Sequence, residues 1–103
     1  STSSGGLPAG LAQAVAGGSS GAVAAQALEV VADKFSNLVL VPRDRLDLLR
    51  PLSDVGVDSM LAAEFRGWIY QQLKVNVPYL TMLASTTTLT MLSELIAGKL
   101  LEA

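Results

Sequence analysis

Apolar residues at Ala24, Leu28, Val31, Phe35 and Leu38 recur at intervals of four, three, four and three, which is one face of an α-helix. This spacing predicts a helix over 22–38, with Glu29, Asp33, Lys34 and Asn37 on its other side. Glu29 and Asp33 form a like-charge i,i+4 pair, and Lys34 lies too far round to compensate fully, so packing must hold this helix. A second stripe, Ala62, Phe65, Ile69 and Leu73, flanked by Leu61 and Trp68, predicts a helix over 59–73 with Trp68 as core or boundary packing. A third, Leu89, Leu92, Leu95, Ile96 and Leu100, predicts a helix over 88–101, with N-caps available in Ser85-Thr86-Thr87-Thr88 and fraying near Gly98. Between the last two, Pro78 suits the first turn of a short helix over 78–83.

The segment 39–57 has another pattern. Pro42 and Pro51 stop regular helix, yet Leu46, Leu48, Leu49, Leu52, Val55 and Val57 are too apolar for a loop lying free in water. It reads as a structured loop packed over the helices, with one helical turn near 44–49. Residues 1–21 are rich in Ser, Gly and Ala, and read as a flexible linker or an expression scar, with a frayed turn around Leu11, Ala14 and Val15. The expected architecture is all-α: a small four-helix bundle over 22–103, with three long helices, one short one and a long first loop.

Composition narrows the chemistry. The 103 residues suffice for one small domain, and 50% apolar with 16% charged argues against a wholly disordered chain. A net charge of −2 leaves no broad basic surface for nucleic acid. There is no apolar run of about 18 residues, so no membrane span is expected, and the start does not look like a signal peptide, which points to a cytoplasmic domain. The chain has no Cys and no His, which removes disulfides, thiolate nucleophiles, the commonest metal ligands and a Ser-His-Asp triad. No catalytic residues and no metal site are expected.

One stretch remains with chemistry to offer. In Gly56-Val57-Asp58-Ser59-Met60, glycine permits a tight turn, and Asp58 and Ser59 are both helix-start residues. Ser59 then lies beside a loop at the positive end of a helix dipole, where a phosphate is tolerated. Asp58-Ser59 is the only Asp-Ser pair in the chain. These residues resemble the Asp-Ser-Leu/Met motif of acyl carrier proteins. The longer run from Asp54 to Arg66 looks most like the carrier domain of fungal iterative polyketide synthases of the highly reducing, lovastatin nonaketide synthase type. The resemblance covers about residues 22–102, including Val77-Pro78 and Thr88-Leu89, where the family starts its last two helices.

The resemblance implies the four-helix carrier fold and a 4′-phosphopantetheine arm from coenzyme A on Ser59, with Asp58 in support. It implies Met60, Ala63, Glu64 and Gly67 as a partner-facing surface. Gly67 either admits a close-approaching partner or is merely tolerated in the helix. The implied partners are a phosphopantetheinyl transferase and the ketosynthase, acyltransferase, ketoreductase, dehydratase, methyltransferase and enoylreductase or releasing enzymes of the synthase. The isolated domain is expected to be a monomer. Free-standing bacterial carriers are strongly acidic along the second helix, whereas here that helix carries Glu64 and Arg66, which fits a carrier tethered inside a larger chain. The alternatives are a peptidyl carrier domain of a nonribosomal peptide synthetase, whose motif more often has Gly-Gly before the serine pair, and a helical docking domain in which Ser59 is an unmodified N-cap.

Overall fold

The computed structural model describes residues 7–102. Five α-helices follow in order: α1 (Ala9–Gly17), α2 (Ser20–Val39), α3 (Ser59–Leu73), α4 (Tyr79–Leu83) and α5 (Leu89–Glu102). No strand is present among the described residues, so the chain is all-α as expected, with α2 to α5 forming the anticipated bundle of three long helices and one short one. The largest contact is between α2 and α5, and α3 packs against α2 and carries α4.

The residue-level outcome for α2 differs from the expectation. Val23, Ala27, Val31, Ala32 and Phe35 are buried, while Ala24, Leu28 and Leu38 are only half-buried. The helix is flanked on both sides, by α5 and by α3 and α1, so its apolar arc is wider than a single stripe and its centre is shifted by one residue. The stripe on α3 is as expected: Ala62, Phe65, Ile69 and Leu73 are all buried. Phe35 and Phe65 meet at the α2–α3 contact, with ring centroids 5.5 Å apart. Trp68 is a half-buried boundary residue, and the Lys34 ammonium lies 5.7 Å from its ring centroid. On α5, Leu89, Leu92 and Ile96 are buried with Ser93 and Ala97, whereas Leu95 and Leu100 are half-buried. The helix continues past Gly98 to Glu102.

Of the flexible tether expected over 1–21, residues 1–6 lie outside the described residues, and residues 9–17 depart furthest from the expectation. They form α1, which packs on α2 and buries Leu11 completely, with Leu7, Ala14 and Val15 half-buried around it. Gly18 ends α1 in the left-handed conformation (φ 77°), and Ser19 caps α2, its Oγ accepting from the Ala22 N–H at 3.4 Å. Gly18 and Ser19 therefore make a tight corner between two helices.

The long loop is fastened down as its apolar content requires. The expected single turn at 44–49 is replaced by two short 3-10 turns, Arg43–Arg45 and Leu52–Val55, each starting just after a proline. Leu46 and Leu52 are buried. The Thr90 N–H and hydroxyl both donate to the Leu48 carbonyl, at 3.2 and 3.0 Å. The Leu52 N–H donates to the Thr87 carbonyl at 2.8 Å. Arg43 answers the like-charge pair on α2: its guanidinium lies 3.3 Å from Glu29 Oε2 and 3.6 Å from Asp33 Oδ1.

Candidate functional site at the start of α3

The site is built from the loop's end inward. The second 3-10 turn closes on Gly56, whose φ of 111° is left-handed and strained for any other residue. Val57 follows, buried, with its N–H donating to the Leu52 carbonyl at 3.3 Å. That anchor delivers Asp58 in extended conformation to the end of α3. Asp58 Oδ1 accepts from the Leu61 N–H at 2.9 Å, and its carbonyl accepts from the Ala62 N–H at 2.9 Å. Asp58 is thus the N-cap, and Ser59 is the first helical residue.

This division settles how the two helix-start residues share the work. The capping role that a serine here would have as a purely structural residue is filled by its neighbour. Ser59 is exposed, and the first turn of α3 holds no acidic side chain. A phosphodiester on Ser59 Oγ would sit at the positive end of α3, next to the Asp58 carboxylate that is turned onto the Leu61 N–H. The residues present therefore fit a phosphate-linked arm.

Met60 is 80% exposed, and Ala63, Glu64 and Gly67 are exposed along the same stripe of α3. A Cβ added to Gly67 would meet nothing within 4 Å, so no contact within the chain requires glycine there. Two neighbours of the site lay outside the sequence reading. Tyr79, the first residue of α4, donates its hydroxyl proton to the Ser59 carbonyl at 3.3 Å. Arg66 donates from Nε to the Val77 carbonyl at 2.6 Å and from Nη2 to Asn76 Oδ1 at 2.8 Å. Nothing in the local pattern around Tyr79 signals a partner 20 residues earlier. Pro78 marked only where the helix begins, and it stands as the residue before α4 rather than inside its first turn.

A helical bundle with an exposed serine as the first residue of a helix capped by its aspartate neighbour fits a carrier-type attachment domain. The comparison with known families agrees: residues 29–96 match the phosphopantetheine attachment site family, and the chain belongs to it. Members of that family carry covalently attached 4′-phosphopantetheine. The chain is 98% identical over all 103 residues to a segment of highly reducing polyketide synthase 19 of Pyricularia oryzae. It is 56% identical over all 103 residues to highly reducing polyketide synthase srdA of Neurospora crassa. A third relative, highly reducing polyketide synthase fogA of Aspergillus ruber, is 40% identical over 75 residues, 73% of the chain. The chain spans only 4% of the first two relatives and 3% of the third. The first two alignments include residues 1–21. No solved structure matches the chain.

Proposed function

We propose that this chain is the acyl carrier domain of a highly reducing polyketide synthase, holding the growing polyketide on a 4′-phosphopantetheine arm attached to Ser59. When bound, the arm supplies a terminal thiol for thioester formation, which a chain without cysteine cannot supply itself. The chain's own part is to cap α3 through Asp58, leave the Ser59 hydroxyl exposed and offer the exposed Met60, Ala63, Glu64 and Gly67 to partners. The observation that carries this reading is that Asp58, and not Ser59, caps the helix. The domain does no catalysis; a phosphopantetheinyl transferase installs the arm, and the ketosynthase, acyltransferase and tailoring domains of the synthase act on the cargo. The carrier unit is read as beginning with α2 and its cap Ser19 rather than at residue 22, with α1 as an N-terminal extension docked on it. Among the described residues no helix is long and apolar enough to cross a membrane, and the domain is read as a cytoplasmic monomer.

The test is intact mass after incubation with coenzyme A and a broad-specificity phosphopantetheinyl transferase. The parent is expected to gain one arm and S59A none. A folded, unmodified parent that gains nothing overturns the attachment reading in favour of a docking domain. Loading of the arm with malonyl but not aminoacyl groups is the expected result for a polyketide carrier.

A further inference from the structure

α4 has five residues and no side-chain cap at its start. Helices below about 12 residues are marginal alone, so its place must come from its surroundings. Two contacts supply this on the inner side: Met82 is buried within α4, and Val77, just before it, is fully buried. The third is Arg66. Its two donors grip both the Val77 carbonyl and the Asn76 side chain, spanning the segment that leads into α4. A charged, forked donor of this kind is stronger and more directional than a neutral bond. On the outer side, the Tyr79 hydroxyl closes onto the Ser59 carbonyl. Tyr79 and Ser59 are the first residues of their helices, so this bond joins two helix starts. Each carries a largely exposed apolar side chain next in sequence, Leu80 at 76% and Met60 at 80%.

Resting on the reading of Ser59 as the attachment site, we infer that Arg66 and Tyr79 are positioning residues: they fix the start of α4 beside Ser59, so that an enzyme gripping the serine meets both helix starts as one surface. Neither residue reaches the serine hydroxyl. Their loss changes how well a partner engages the domain and leaves the reacting oxygen untouched.

The experiment is steady-state phosphopantetheinylation of the parent, R66A, R66K and Y79F, with amide hydrogen exchange on each unmodified protein. R66A is expected to raise KM about tenfold, the worth of one charged hydrogen bond, with kcat within about twofold. R66K does not rescue it, because one ammonium cannot reproduce the two-pronged grip. Y79F is expected to raise KM about threefold. In R66A, exchange quickens across 77–83 and not in α2 or α5. Unchanged KM in both R66A and Y79F overturns the inference, as does a raised KM in R66A with undisturbed exchange in α4. Where R66A fails to fold, Y79F decides: a raised KM with parental kcat supports the inference and parental KM overturns it. A parent that takes no arm refutes the attachment reading itself, whereas a loaded parent with indifferent variants refutes only the positioning role.

Discussion

Replacing Leu11 with alanine tests whether α1 belongs to the fold. Leu11 is fully buried, and it is the only residue of α1 that is. Truncating a buried leucine costs about 2–5 kcal/mol, depending on how well the site collapses. Here a ceiling also applies. α1 has nine residues, short of the roughly 12 a lone helix needs, so it is helical because it is docked. Once the loss at Leu11 exceeds the docking free energy of α1, the helix lets go and no further cost accrues. The expected loss is therefore at the lower end, about 2–3 kcal/mol, and a truncation lacking residues 1–18 is expected to lose a similar or larger amount. Urea unfolding followed by far-UV circular dichroism measures both, and the truncation leaves Ser19 to cap α2. Undocking in the native state also lowers the m-value, because less surface remains to be exposed. A loss below about 0.5 kcal/mol with an unchanged m-value refutes the docking of α1. A loss in L11A clearly larger than that of the truncation refutes the ceiling.

The remaining substitutions separate structure from chemistry at the site. D58A is expected to cost about 1 kcal/mol in urea unfolding through loss of the cap, while S59A stays within about 0.5 kcal/mol of the parent. Equal losses in the two would mean that the serine hydroxyl is structural. G67A is expected to gain about 1 kcal/mol in the same assay, since its methyl group enters open space on a helix face. A loss there would show that the glycine is needed within the chain.

The sequence and the structure agree best where a helix buries one narrow face. The stripe Ala62, Phe65, Ile69, Leu73 is buried residue for residue, because α3 has a single inward side. On α2, periodicity found the helix but misplaced its centre: Val23 and Ala27 are buried where Ala24 and Leu28 were expected. A helix contacted by three others buries a broad arc, and a small residue such as Ala27 carries little signal in a hydrophobic pattern. α1 was hidden for a related reason. Its composition is that of a linker, and only Leu11, placed by the corner at Gly18 and Ser19, gives it something to bury. The local geometry at Ser59, the proposed attachment serine, was legible because it is built from four consecutive residues: a turn glycine, a cap and an exposed hydroxyl. Tyr79 and Arg66 were not, since their contacts depend on the path of the chain between α3 and α4.

The charge around Ser59 has a consequence for how partners find it. Counted from sequence, α3 offers Glu64 and Arg66 to a partner. In the fold, the Arg66 guanidinium keeps its charge but is held toward Val77 and Asn76, both neutral acceptors, and the exposed acids near Ser59 are Asp58 and Glu64, so the net charge around the serine is small. If partners engage this face as proposed, recognition rests on short-range contact, for which association rates are about 10⁵–10⁷ M⁻¹s⁻¹ without electrostatic steering. A free carrier at micromolar concentration would then wait long between encounters. As a segment of one long polypeptide, the situation proposed for this chain, the domain meets its partners at an effective concentration of about 1 mM. The product is about 10²–10⁴ encounters per second, ahead of a typical turnover of about 10 per second. Tethering alone would therefore make steering unnecessary, and a low net charge around the proposed attachment serine would cost such a carrier nothing in rate.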